Sequence, residues 1–80
     1  ERVLATFFKG ERLTQIPLQG PAFRIVVAHL AEAFAPDRDY PEAEVNRRLA
    51  LVHEDVASLR RGMVDYGLMD RADGIYRRVR

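Results

Sequence analysis

The stretch DVASLRRGMVDYGLMDRADGIYRRV, residues 55–79, decides the fold. Asp55 stands where a helix takes its side-chain cap. After it, Val56, Leu59, Met63 and Tyr66 recur at three- and four-residue spacing and define one apolar helix face. Gly67 ends that helix as a left-handed residue. Two strand-length runs follow, residues 68–71 and 75–79, around Asp73-Gly74, a two-residue turn whose central positions both need positive φ. The turn fixes a register in which Ala72 faces Ile75, Arg71 faces Tyr76, Asp70 faces Arg77 and Leu68 faces Val79.

Toward the N-terminus, His53-Glu54 is a tight junction to a preceding helix. Pro41 opens that helix, Glu42 and Glu44 favour its positive end, and Val45, Leu49 and Val52 form its stripe. Glu44 can pair with Arg48 one turn on. Tyr40 fits a one-residue strand after the polar connection Asp37-Arg38-Asp39. The strongest helical pattern spans residues 21–34. Gly20-Pro21 starts it, Phe23, Val26, Val27, Leu30, Ala33 and Phe34 share one arc, and Pro36 ends it. Residues 12–16 predict a short extended piece cut off by Pro17. Residues 1–8 predict a helix with Val3, Leu4, Phe7 and Phe8 inward, closed by Lys9-Gly10.

Two short helices with a tight junction, followed at once by a hairpin, make a helix-turn-helix with a wing. The expected fold is therefore α+β, mainly α: a winged helix-turn-helix with an extra N-terminal helix and a C-terminal β-hairpin wing. Eighty residues make one domain, 1–80, burying only about 60% of the surface its unfolded chain exposes. The chain opens at Glu1, without methionine, which allows for excision from a longer one.

At 48% hydrophobic and 31% charged, the composition is that of a folded domain. The absence of cysteine removes disulfides, thiolate chemistry and cysteine-ligated zinc. No charged-then-apolar leader is visible, and the longest apolar run, residues 25–35, is broken by His29 and Glu32 and too short for a bilayer. A cytoplasmic protein without membrane contact is expected. Twelve of the thirteen basic residues are arginines, yet the net charge is only +1, too small to imply a polyanion partner by itself.

Several stretches carry a resemblance: FKGERLTQIP at residues 8–17, YPEAEVN at 40–46, LRRGMVDYGLMDR at 59–71 and YRR at 76–78. Together they resemble a bacterial domain-of-unknown-function family of winged-helix-like modules, found alone or appended to transcription regulators. The resemblance covers nearly the whole chain and implies a bacterial transcription-regulation setting. Where that family usually has serine or threonine, this chain has Pro41, which removes a side-chain cap.

For chemistry, His29 and Glu32 lie on one helix and His53-Glu54-Asp55 sit at a junction, but no third partner has metal-ligand spacing. No phosphate loop or nucleophile elbow is present, so neither catalysis, metal nor cofactor is expected. Duplex DNA is the leading candidate partner. The outward face of the helix after Asp55 carries Glu54, Ala57, Ser58, Arg61 and Asp65 and sums to −1, a poor surface for reading bases. Arg61 and Asp65 can pair with each other. In the wing, Arg77 is expected opposite Asp70 and Arg71 over Tyr76, leaving Arg78 and Arg80 free. Arg60 lies beside the core face and covers apolar surface with its stem. Arg61, Arg78 and Arg80, with a lesser part for Arg77, are the expected phosphate contacts. A protein-interaction domain, pairing as a homodimer or with a fused regulator domain, is the alternative.

Overall fold

The computed structural model describes residues 2–79. Helix α1 (Arg2–Phe7) runs into a two-stranded hairpin, β1 (Phe8–Lys9) and β2 (Arg12–Leu13). Helix α2 (Pro21–Ala31) follows, then β3 (Asp39–Pro41), α3 (Glu42–Ala50), α4 (Val56–Asp65) and the strands β4 (Met69–Ala72) and β5 (Ile75–Arg78). Among the described residues this is a small α+β domain with four helices and two antiparallel sheets, ordered β1-β2 and β3-β5-β4.

The three main helices enclose one core. Val26 and Val27 of α2, Val45 and Leu49 of α3, and Leu59 and Met63 of α4 are all nearly or fully inaccessible. Their three- and four-residue spacings turn each apolar face toward the same centre. Phe23 and Phe34 are buried at its two ends, as the spacing predicts, whereas Ala33, expected on the same arc, is exposed because the helix has already ended at Ala31. Tyr40 and Tyr76, neighbours across β3 and β5, complete the core from the sheet. The Tyr40 hydroxyl accepts a hydrogen bond from the Ala35 amide at 2.7 Å. That bond satisfies a backbone donor just beyond α2.

The hairpin keeps the expected register in full. Ala72 pairs Ile75, Arg71 pairs Tyr76 and Asp70 pairs Arg77, while the Val79 amide donates to the Leu68 carbonyl at 3.0 Å. Asp73 and Gly74 turn the chain with φ of 53° and 76°. Gly67 lies at φ 71° directly after α4 and its C-cap Tyr66. A Cβ on Gly67 would meet nothing within 4 Å, so only backbone strain opposes a side chain there. Gly67→Ala is therefore expected to lose about 1 kcal/mol, seen as a fall of about 4–8 °C in Tm. An unchanged melt would mean the turn does not depend on the left-handed residue.

Four local expectations are corrected. Helix α1 stops at Phe7, because Phe8–Lys9 pairs with Arg12–Leu13 and the chain reverses through Gly10-Glu11. Gly10 thus serves a hairpin turn, not a helix end. Helix α2 ends at Ala31 instead of Phe34, and residues 32–34 continue as tighter three-residue hydrogen-bonded turns. Pro41 closes β3 in an extended conformation and precedes α3 as its N-cap, with no side-chain cap. Tyr66 is 44% exposed, because the chain leaves helical geometry there, and its ring packs edge to face with Phe23 at the rim of the core.

Candidate nucleic-acid interface

Helix α4 is held at its start by its own sequence. The Asp55 carboxylate accepts from the Ser58 amide at 3.2 Å and from the Ser58 hydroxyl at 2.7 Å. These bonds, the hydroxyl's first, hold the Asp55 carboxyl below its ordinary range. His53 Nδ1 accepts from the Asp55 amide at 2.9 Å and so fixes the sharp corner between α3 and α4. Beyond the cap, Ala57, Arg61 and Asp65 face outward and are exposed. Among the described residues Arg61 forms no ion pair within 4 Å, so the pairing expected with Asp65 is not made.

The other predicted contact residues divide. Arg77 is paired, but across the sheet: its Nε donates to Asp39 Oδ1 at 2.8 Å. Asp70 stands opposite it in register, on the other side of β5, without making the ion pair. The pairing of β3 with β5, which sequence spacing left out, supplies the nearer carboxylate. Arg78 is half-buried and not free, since its Nη1 donates to the Phe34 carbonyl at 2.9 Å and ties β5 to the end of α2. Arg80 lies outside the described residues. Arg61 and Arg77 are thus exposed, whereas Arg78 points its donor inward.

A cluster that sequence spacing does not reveal lies where α3, α4 and the three-stranded sheet meet. The Glu42 carboxylate accepts from the Tyr76 hydroxyl at 3.1 Å. Arg71 Nη2 stands 3.6 Å and Arg60 Nε 3.9 Å from the same oxygen. Arg60 also donates to the Asn46 side-chain carbonyl, linking α4 to α3. The Arg71 guanidinium lies over the Tyr76 ring, 5.9 Å from its centroid, as the hairpin register predicts. Burial, and then the bond to Glu42, push the Tyr76 hydroxyl above its ordinary pKa. Only the Arg71–Tyr76 contact had a signal in the sequence. Glu42 joins it through a separation of 34 residues, visible only once the sheet is closed.

On the far flank of α3, Glu44 pairs with Arg48 at 2.9 Å and with Arg38 at 3.1 Å. Both guanidiniums also lie over the Tyr40 ring. His29 is exposed and meets the edge of Phe8. Among the described residues no three His, Cys, Asp or Glu side chains converge as a metal site. None of the described helices is long and apolar enough to cross a membrane.

A small α+β domain in which one face of α4 is exposed beside the β4–β5 hairpin is the class these features define. Residues 12–78 match the model of the family described as "Uncharacterized protein conserved in bacteria (DUF2087)", and the chain belongs to that family. No curated protein and no solved structure matches it.

Proposed function

We propose that this domain is a winged-helix module of a bacterial transcription-regulation type protein, acting in the cytoplasm in an accessory, non-enzymatic role with weak contact to duplex DNA. In this reading α3 and α4 are the helix-turn-helix, α4 is the recognition helix, and β4–β5 is the wing. The observation that carries it is topological. The chain runs α2-β3-α3-α4-β4-β5, and β3 returns to pair with β5 in the order β3-β5-β4. That closure sets the wing beside α4 and leaves the outward face of the helix uncovered.

The contact is weak because the charges are few. Exposed Arg61 stands on a face that sums to −1, and Arg77 is already matched by Asp39. Phosphate contacts set affinity and its salt dependence, while base edges set specificity. Non-specific binding of mixed-sequence duplex is expected with a Kd of about 10⁻⁴–10⁻⁶ M at physiological salt. Arg61→Ala should flatten the log–log salt dependence by about 0.9, one phosphate on B-form DNA. Arg77→Ala should change it less. Fluorescence titration at several salt concentrations reads both.

A second reading, a protein-interaction or dimerisation domain, has one observation of its own. A groove of about 690 Å³ between the β1–β2 hairpin and the ends of α2 and α3 is bordered by Leu51, which is 70% exposed. Sedimentation of the unliganded protein separates the readings. A salt-insensitive dimer that binds no duplex at low salt would remove the DNA reading and leave this one.

A further inference from the structure

The Glu42 cluster has the composition of an anion site whose anion is supplied by the chain itself. Two guanidiniums and a phenol hydroxyl, from α4, β4 and β5, converge on one carboxylate at the start of α3. Tetrahedral phosphate and planar carboxylate are held by the same donors, arginine forks above all. The start of a helix, here that of the nine-residue α3, adds a positive end that favours either anion. The cluster opens to solvent on its Arg71 side, where the Arg71 side chain is 56% exposed and Glu42 36%, while Arg60 at 24% and buried Tyr76 form its floor.

We propose that Arg60, Arg71 and the Tyr76 hydroxyl form a seat for a nucleic-acid backbone phosphate, and that Glu42 occupies this seat as an internal competitor. The inference rests on the DNA reading above and names a site that reading does not use. In the unliganded protein the carboxylate cancels charge that the wing and α4 could otherwise offer together. A duplex phosphate enters only by displacing Glu42, and this keeps native affinity low. The arginines have supports of their own, Arg60 in the Asn46 side chain and Arg71 in the Tyr76 ring, so both stay at the seat when Glu42 leaves it.

The test is the salt dependence of binding to a mixed-sequence duplex of about twenty base pairs, with Glu42→Gln set against the native protein. Glutamine keeps an oxygen acceptor for the Tyr76 hydroxyl while removing the charge. Releasing two arginines should steepen the log–log slope by up to about 1.8. Between 50 and 200 mM salt, that adds a roughly twelve-fold greater loss of affinity. Arg71→Ala in the Glu42→Gln background should then take back about 0.9 of the slope, and less than half as much in the otherwise native protein. A Glu42→Gln protein that binds duplex with the native slope would overturn the proposal while leaving the DNA reading intact. So would an Arg71→Ala effect of equal size in both backgrounds. If neither protein binds at the lowest salt, the DNA reading fails and this site with it. Should Glu42→Gln not fold, Glu42→Asp withdraws the carboxylate by one methylene and takes its place; a slope steeper than native is expected, and the native slope would overturn the proposal.

Discussion

Leu59→Ala is expected to destabilise the domain by about 2–5 kcal/mol. Leu59 is completely inaccessible and sits midway along α4, in the core that also holds Val26 and Leu49. Truncation removes three buried carbons and leaves a cavity that three helices, braced by the sheet, cannot close freely. The effect is large against the whole. At about 0.05–0.15 kcal/mol per residue, an 80-residue domain has only about 4–12 kcal/mol to lose. Urea unfolding should show a lower midpoint at an unchanged m-value. Alternatively, the variant is already partly unfolded in buffer. A loss below about 1 kcal/mol would mean that Leu59 is not at the centre of packing.

What a sequence discloses here depends on how far apart the partners lie. The apolar faces of α2, α3 and α4 follow from residues three and four apart, because helix geometry alone puts them together. The register of β4 and β5 follows from Asp73-Gly74 for the same reason, since a two-residue turn leaves no other pairing. The side-chain partners are another matter. Arg77 reaches Asp39 across 38 residues and Arg78 reaches the Phe34 carbonyl across 44, so both depend on where β3 comes to rest. Three residues with a proline at the end give β3 almost no pattern of its own. Its pairing with β5 therefore stayed hidden, and with it the Glu42 cluster. Phe8 shows the opposite failure, with local spacing that reads as helix. Pairing with Leu13 draws Phe8 into a strand, and the Leu13 amide is in turn held by the Val52 carbonyl of the next layer. Tertiary contact overrides local periodicity in an element only two residues long.

Gly62 sets intrinsic helix preference directly against packing. It lies inside α4, where replacing glycine with alanine ordinarily gains about 0.8–1.0 kcal/mol. Here a Cβ would stand 2.5 Å from Phe23 Cζ, 2.7 Å from Cε2 and 3.1 Å from Val27 Cγ1. The missing side chain is thus what allows α2 and α4 to approach so closely. The Phe23 ring has little room to yield: it is 8% exposed and held edge-on by Tyr66. Overpacking of this kind costs about 1–3 kcal/mol, enough to cancel or exceed the helical gain for a single methyl. Gly62→Ala is therefore expected to be destabilising by about 1 kcal/mol. Gly62→Val, with two further carbons and a stiff χ1, should lose about 3 kcal/mol or more. Phe23→Leu shortens the opposing side chain. Combined with Gly62→Ala, it should recover part of the loss, a coupling of about 0.5–3 kcal/mol in a double-mutant cycle followed by urea unfolding. Stabilisation by Gly62→Ala alone, as helix propensity by itself demands, would show that the two helices stand farther apart than these distances place them.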